Sequence, residues 1–316
     1  MSARRAFLFP GQASQEVGMG CDLCARFPVA RTLFAQADEI LGFPLSRICF
    51  DGPLEALSQT AVTQPAVYVH SVAAARLLAD RGITPDVVAG HSLGEYSALT
   101  VAGVLDFAAG LALVRERGRL MQEAGRLRPG KMAAVVGLDD AVVVSLCAGI
   151  DGGVVPANFN APGQVVLSGE AVAVERAAAA AQRAGARRVV ELPVSGAFHS
   201  PLMASAAHAL AELLEGTRFA PPSVPVVANV TAAPETDPEV LRRLLVAQVT
   251  APVRWTESVT ALASLGVGRA LEVGPGAVLK GLVRRIARDL EVTTAGTADE
   301  IEGVDATVAE ERRWRN

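Results

Sequence analysis

A serine flanked by glycines is the clearest candidate for chemistry in this 316-residue chain. The run Gly90-His91-Ser92-Leu93-Gly94 fits G-x-S-x-G, in which glycines permit a tight turn that exposes the serine hydroxyl. An apolar run at 86–89 predicts a buried strand before the serine, and residues 95–102 predict a helix after it. The alternative is a Gly-Ser turn without chemistry, since the chain has 29 glycines. The strand-to-helix context favours Ser92 as a nucleophile, beside helix amides that stabilise an oxyanion.

A serine hydroxyl needs a base, and histidine is the usual one near neutral pH. Of the four histidines, His199 lies in VSGAFHSP at a predicted strand-to-helix junction, where small residues let a side chain project into a cleft. His70 and His208 fall in predicted helices, which favours packing or surface positions. His91 precedes the serine and points another way, so we expect it to shape the pocket. His199 is the predicted base, against the alternative that it only caps the following helix.

A serine at the end of a strand requires a sheet, and the apolar runs of the chain predict one. Short apolar runs at 6–9 and 86–89 are separated by helical patterns. This alternation is typical of a parallel sheet covered on both faces, with ligands at the carboxyl ends of its strands. We therefore predict an α/β fold, with an α/β-hydrolase-like large domain formed by residues 1–128 and 196–290 around a nucleophile elbow.

Residues 129–195 carry a different pattern, in which two helices alternate with four strands in the order β-α-β-β-α-β. This order is typical of a ferredoxin-like unit, so we predict a small ferredoxin-like (βαββαβ) subdomain inserted into the large domain. The last segment, residues 291–316, is charged and weakly patterned. We predict that it forms a loosely ordered C-terminal tail.

The composition excludes several classes of protein. Hydrophobic residues make up 51% and charged residues 20% of the chain, as in ordinary globular domains. A net charge of −4 provides no overall basic field, which argues against nucleic acid as the main ligand. The most apolar stretch, residues 98–114, is interrupted by Asp106 and is too short to cross a bilayer. We expect no nucleic-acid partner and no membrane segment.

The cysteines and the start of the chain bear on location. The four cysteines are few for this length, and MSARRAFLFPGQ lacks the features of a signal peptide. Both observations predict a reducing, cytoplasmic location. Cys21 and Cys24 form a C-x-x-C pair, but no second pair or histidine cluster follows at zinc spacing. We expect core or surface positions for them and no metal site.

A set of short motifs follows one another along most of the chain: FPGQASQEVGMG (9–20), TQPA (63–66), GHSLGEYSAL (90–99), RERGRLMQ (115–122), NFNAPGQVVLSG (158–169), VSGAFHSPLM (194–203) and EVGPG (272–276). Multiple ordered motifs are far more specific than one G-x-S-x-G. In this order they resemble the malonyl-coenzyme A:acyl carrier protein transacylases and the related acyltransferases of polyketide synthesis. The resemblance covers roughly residues 7–286.

The resemblance implies a role for each matching position of the reaction centre. Ser92 would be the acylated nucleophile and His199 its base. Backbone amides of Gln12 and Leu93 would form the oxyanion hole. No acidic third member of the triad is evident, and a backbone carbonyl near Gln248 would orient the histidine instead.

Arg117 is the position that the resemblance marks for substrate selection. A free carboxylate on the acyl group calls for a planar guanidinium in a dry pocket. The alternative is an exposed arginine on a charged helix, because Arg115, Glu116 and Arg119 lie alongside. Only the family match selects Arg117 over its neighbours.

The resemblance also implies pocket residues. Asn160 and Asn229 would line the site. Phe198, directly before His199, belongs to the GAFH form that the family associates with malonyl, because its ring would crowd a branched acyl group. A branched extender such as methylmalonyl or ethylmalonyl stays the alternative, since one methyl group is worth only about 1 to 3 kcal/mol in an apolar pocket.

The expected activity is transfer of malonyl from malonyl-CoA to the phosphopantetheine thiol of an acyl carrier protein, for fatty acid or polyketide synthesis. No cofactor is expected beyond the CoA thioester. A serine thioesterase or hydrolase, or an inactive carrier-binding scaffold, are the competing interpretations. Carrier proteins are generally acidic, so basic residues near the cleft are candidate docking sites. These are Arg126, Arg128, Lys131, Arg183, Arg187, Arg188, Arg284 and Arg285.

Overall fold

The computed structural model describes residues 4–304. Its strands are β1 (Arg4–Phe9), β2 (Val87–Gly90), β3 (Gly130–Val136), β4 (Val154–Ala161), β5 (Gln164–Glu170), β6 (Arg188–Glu191), β7 (Val226–Val227), β8 (Pro234–Glu235), β9 (Val267–Glu272) and β10 (Glu291–Thr294). Its helices are α1 (Cys21–Arg26), α2 (Pro28–Leu41), α3 (Leu45–Asp51), α4 (Leu54–Leu57), α5 (Thr60–Asp80), α6 (Gly94–Val101), α7 (Phe107–Leu127), α8 (Asp140–Ala148), α9 (Ala171–Arg183), α10 (Ala204–Glu215), α11 (Pro238–Gln248), α12 (Trp255–Ser264) and α13 (Val278–Ile286).

The larger sheet has the strand order β10-β9-β1-β2-β7-β8. All pairs are parallel except β7 with β8, which are antiparallel. Apolar side chains from both faces of β1 are buried, as a sheet covered on both sides requires. Phe9 pairs with Gly90, so β1 and β2 end side by side. The loops that follow these two strands therefore meet at one edge of the sheet.

The smaller sheet has the order β4-β5-β3-β6, with antiparallel neighbours. Ala133 and Val135 pack with α8 and α9 in a separate apolar core, while Met132 and Ala134 on the opposite face line a cleft. This alternation follows from the two-residue period of a strand. One face of the small sheet thus forms a wall of the cleft.

These observations confirm the prediction of an α/β fold with a parallel-sheet core and a second, βαββαβ unit. The small unit is tied to the rest of the chain by backbone hydrogen bonds. Phe159 N donates to Val253 O at 2.9 Å, and Val253 N donates to Ala157 O at 2.9 Å. The exact domain boundaries, at 128/129 and 195/196, stay a prediction.

The prediction of a loosely ordered tail is wrong for residues 291–304. β10 extends the large sheet in parallel with β9, and residues 298–304 are helical. Ala295, Ala298, Ile301 and Val304 recur at a helical spacing and are buried in the main core. The charged residues on which the prediction of a tail was based lie on the outer side of this helix. Residues 305–316 lie outside the described part of the chain.

Candidate active site

A cleft of about 260 Å³ lies at the carboxyl ends of β1 and β2, between the two sheets. Ligands of α/β proteins bind at this edge, outside the ends of parallel strands. Eight of the ten predicted site residues line it: Gln12, His91, Ser92, Leu93, Arg117, Asn160, Phe198 and His199. Asn229 and Gln248 lie behind the cleft and are fully buried.

The turn that carries Ser92 depends on close backbone packing. Ser92 has a φ of 51°, in the left-handed region that side-chain-bearing residues rarely adopt. A Cβ on Gly94 would lie 2.0 Å from Phe9 O, and one on Gly90 would lie 1.9 Å from Gly94 C. Only glycine fits these positions, so the two glycines of G-x-S-x-G seat the turn against the end of β1.

Ser92 and His199 are within hydrogen-bond distance, although 107 residues separate them in the chain. Ser92 Oγ lies 2.8 Å from His199 Nε2, and His199 Nδ1 lies 2.8 Å from the backbone oxygen of Gln248. A carbonyl oxygen only accepts, so Nδ1 carries the proton and Nε2 is the acceptor that faces the serine hydroxyl. The pair has the geometry of a nucleophile and its base.

The environment of His199 keeps its ring neutral. Burial and, to a smaller extent, the positive charge of Arg117 together lower the pKa of His199 to about 3. The unprotonated ring is therefore the form present at neutral pH. A proton taken from Ser92 would be held weakly and passed on readily to a leaving group.

Asn229 holds the serine turn from behind. Its Oδ1 accepts from Ser92 N at 2.7 Å, and its Nδ2 donates to Gly90 O at 2.6 Å. Asn229 therefore supports the serine turn and does not border the cleft itself. A short amide side chain buried beside a tight turn satisfies the backbone groups that the turn leaves unpaired.

Two backbone amides are available to an oxyanion at the cleft. Gln12 follows the end of β1, and Leu93 precedes the first residue of α6. Within residues 4–304 neither N–H donates a hydrogen bond, and both residues line the cleft beside Ser92. Unpaired amides at a helix N-terminus favour negative charge.

Arg117 is the arginine of its helix that faces inward. It is 1% exposed, whereas the side chains of Arg115 and Arg119 are 45% and 56% exposed and lie near Glu116. Its Nη1 donates to Gln64 Oε1 at 2.8 Å, and its Nη2 donates to Gln248 Oε1 at 2.9 Å and to Ser92 Oγ at 3.1 Å. Burial lowers its pKa, but a guanidinium keeps its charge in proteins. A buried cation therefore touches the candidate nucleophile.

The predicted pocket residues His91, Asn160 and Phe198 line the cleft beside the reacting residues. His91 Nε2 donates to Asn160 Oδ1 at 2.8 Å, and the rings of His91 and Trp255 make an edge-type contact with centroids 5.5 Å apart. Burial lowers the pKa of His91, so this ring is also neutral. Phe198 is 6% exposed and presents its ring to the cleft beside the histidine.

Three contributions to the site were missed in the sequence. Gln64 and the side chain of Gln248 bind Arg117, and Glu95, buried on α6, binds Gln248. Burial raises the pKa of Glu95 to about 7. The available signals were weak: Gln64 lies in the TQPA motif, and Glu95 is a charged residue at the start of an apolar helix.

The candidate docking residues differ in their pairing. Lys131 contacts Glu175 and Glu191, Arg126 contacts Glu123, and Arg285 binds Gln164 and the Pro162 carbonyl. The remaining candidates are exposed and have no ion pair within the described range: Arg128, Arg183, Arg187, Arg188 and Arg284.

The structure also bears on metal binding and membrane insertion. Cys21 is exposed and Cys24 is buried, and both are free thiols. In residues 4–304, no group of three His, Cys, Asp or Glu side chains is arranged to hold a metal ion. No helix in this range has both the length and the apolar character needed to span a bilayer.

The comparison with solved structures covers almost the whole chain. The complex PlMCAT:AntF, a type II PKS acyl-carrier protein with its malonyl-transacylase, matches with a TM-score of 0.94 and 44% identity. The alignment covers 96% of this chain and 100% of the matched one. An acyl carrier protein S-malonyltransferase from Vibrio cholerae matches with a TM-score of 0.93 and 44% identity, covering 96% and 100%.

The sequence comparisons agree with the structural ones. The malonyl CoA-acyl carrier protein transacylase of Escherichia coli K12 is 49% identical over 288 residues, which cover 90% of this chain and 93% of that protein. The family model of the acyl transferase domain matches residues 6–306. Matches of this length and identity show membership of a family and not only a shared fold. The chain belongs to the acyl transferase domain family and is a relative of the malonyl CoA-acyl carrier protein transacylases.

Proposed function

We propose that this chain transfers a malonyl group from malonyl-CoA to the phosphopantetheine thiol of an acyl carrier protein, through an acyl-serine intermediate on Ser92. The observation that carries the proposal is the contact between Arg117 Nη2 and Ser92 Oγ, at 3.1 Å in a cleft that also holds His199. A cation at this position suits an acyl chain only a few atoms long that ends in a carboxylate.

In the first half-reaction, His199 Nε2 takes the proton of Ser92 as Oγ bonds to the thioester carbon. The carbonyl electron pair moves to oxygen, where the amides of Gln12 and Leu93 stabilise it. The carbon–sulfur bond then breaks, and the CoA sulfur leaves with the proton from His199. Malonyl-Ser92 remains.

In the second half-reaction the carrier's thiol replaces CoA. His199 accepts the thiol proton while sulfur attacks the acyl carbon, and Ser92 Oγ takes the proton back when its bond to carbon breaks. The cycle uses one base in both directions and needs no reactant beyond the CoA thioester and the carrier's thiol. We expect no metal or organic cofactor.

Arg117 selects the acyl group in this proposal. The malonyl carboxylate would pair with the guanidinium through two parallel hydrogen bonds, replacing its contacts to Ser92 and Gln64. This pairing frees the serine oxygen for attack and aligns the acyl carbon with it. A simple esterase has no evident use for such a buried cation, which disfavours the hydrolase alternative.

Phe198 supports malonyl over a branched extender. Its ring lies in the cleft directly before His199 in the chain, where a methyl branch on the acyl group would meet it. The carrier can belong to fatty acid or to polyketide synthesis, and one matched structure is a malonyl-transacylase with a type II PKS acyl-carrier protein. Some exposed arginines have no acidic partner in the described part of the chain, Arg187 and Arg188 among them, and these are candidates to dock an acidic carrier in the cytoplasm.

Intact-protein mass spectrometry tests the proposal. Mixing the protein with malonyl-CoA should add one malonyl group, which a Ser92→Ala variant should not acquire. Addition of a phosphopantetheinylated carrier protein should then remove the group and increase the carrier's mass by the same amount. Rapid release of free malonate without a lasting acyl-enzyme would establish hydrolysis instead.

A further inference from the structure

Glu95 is a buried carboxylate that lies behind the cleft rather than in it. It is 1% exposed and belongs to the first turn of α6, three residues after Ser92. Its Oε2 accepts from Gln248 Nε2 at 2.7 Å and from Asn229 N at 3.1 Å. The mechanism above assigns no role to this group, although burying a carboxylate is costly.

The two partners of Glu95 hold the reacting residues. Asn229 binds the backbone of the serine turn. Gln248 does more, because its Nε2 donates to Ser92 O at 3.0 Å, its Oε1 accepts from Arg117 Nη2, and its backbone oxygen accepts from His199 Nδ1. Glu95 thus lies one residue away from Ser92, His199 and Arg117.

The orientation of the Gln248 amide matters for Arg117. A guanidinium only donates, so Gln248 can bind it only through Oε1. An ionised carboxylate only accepts, so Glu95 demands Nε2 on the other side. A flipped amide would set its oxygen against Glu95 and its N–H groups against Arg117. The charge on Glu95 therefore favours the one orientation in which Gln248 holds the guanidinium.

Arg117 also has no direct counter-charge among residues 4–304. Within the described chain no carboxylate lies within 4.0 Å of its guanidinium, and the nearby acid is Glu95, on the far side of the Gln248 amide. The separation leaves the guanidinium free for a substrate carboxylate while its buried charge is compensated at a distance. Glu95 also repels the acyl carboxylate less than a carboxylate paired directly with Arg117 would, because it lies farther from the acyl group.

We propose that Glu95 is a positioning residue for the malonyl transfer inferred above: its ionised carboxylate orients the Gln248 amide and thereby holds Arg117 in place for the acyl carboxylate. The inference rests on the proposed function and adds a requirement to it. Selection for malonyl depends on the charge of a residue that never contacts the acyl group.

The surroundings of Glu95 cause its carboxyl group to change ionisation state near neutral pH. Burial raises its pKa to about 7, whereas Gln248, Asn229 and the charge of Arg117 act in the opposite direction. The titratable and charged groups that face it are Arg117 on α7 and Tyr96 on α6. His199, with a pKa of about 3, does not titrate in the same range.

The test compares kcat/KM for acylation by malonyl-CoA and by acetyl-CoA, from about pH 5.5 to about pH 8.5, on either side of this pKa. In the parent protein the malonyl-to-acetyl ratio should rise about ten-fold across the range, mainly through a lower KM for malonyl-CoA. In Glu95→Gln the ratio should stay at the low-pH value of the parent throughout. Acetyl transfer should change little in either protein.

Glu272→Gln is the matched control, because Glu272 is also fully buried and accepts from two backbone amides, those of Leu279 and Lys280. This variant should keep the pH-dependent ratio of the parent. A ratio independent of pH in the parent, or equal losses of both substrates in Glu95→Gln, would overturn the inference. If Glu95→Gln does not fold, the parent's profile alone decides. Failure of the parent to form malonyl-Ser92 would instead refute the proposed function.

Discussion

Replacing Arg117 by methionine should remove malonyl selection while leaving acyl-serine chemistry. Methionine fills much of the volume of the arginine stem but offers no hydrogen bond. The change removes three donated hydrogen bonds, to Gln64, Gln248 and Ser92, at 2.8, 2.9 and 3.1 Å. It also removes the cation that the malonyl carboxylate would meet.

The size of the effect follows from the burial of the guanidinium, which is 1% exposed. Losing one partner of a buried charge pair costs about 2–5 kcal/mol. A loss of 3 to 4 kcal/mol for malonyl corresponds to a fall of about 10² to 10³ in kcat/KM. Acetyl has no carboxylate and loses only the contact between Arg117 and the serine oxygen, so its kcat/KM should fall by about ten-fold or less.

Single-turnover acylation, followed by mass spectrometry with each thioester, measures both rates. Arg119→Met is the control, because Arg119 lies on the same helix, is exposed and contacts Glu116 at 2.8 Å. Its rates should match those of the parent. Equal losses of malonyl and acetyl transfer in the Arg117 variant would refute the assigned role, and circular dichroism should establish that the variant is folded.

Three further predictions concern the turn, the base and the pocket. In urea unfolding, Gly94→Ala should destabilise the fold by about 3 kcal/mol or more, because the new Cβ would lie 2.0 Å from Phe9 O. The control Gly281→Ala, at a helix position with open space around it, should stabilise the fold by up to about 1 kcal/mol. As pH falls from 6.5 towards 3, the free energy of unfolding of His199→Asn should rise relative to that of the parent, because His199 binds a proton in the unfolded parent but not in the folded one. A difference in unfolding free energy that does not change with pH would contradict this. Phe198→Ser should raise the methylmalonyl-to-malonyl ratio of kcat/KM by about ten-fold, and an unchanged ratio would assign the exclusion of branches to other residues.

Local features of the chain were sufficient to predict the serine turn. Gly90 and Gly94 flank Ser92 between an apolar strand and a helix, and these signals lie within about fifteen residues of one another. The βαββαβ order was predictable for the same reason, because strand and helix periods are properties of short segments. The buried helical spacing at residues 295–304 was also present, but its charged neighbours concealed it.

The site beyond this turn depended on residues that are distant in the chain. Arg115, Arg117 and Arg119 have the same chemistry, and the packing of α7 against α5 and other helices turns Arg117 alone of the three inward. Glu95 carried no local sign of a partner, because Gln248 is 153 residues away. Neither the burial of Arg117 nor the contact between Glu95 and Gln248 produces a periodic pattern in the sequence.

The sequence by itself therefore determined the strand and helix order, the glycines around a reactive serine and the motifs of a family. Tertiary structure decided which arginine is buried, how a glutamine amide is oriented between two charges, and which backbone carbonyl meets the histidine. The division has a physical cause: propensity and periodicity act between neighbours, whereas burial, hydrogen-bond partners and pKa values arise only when remote segments pack together.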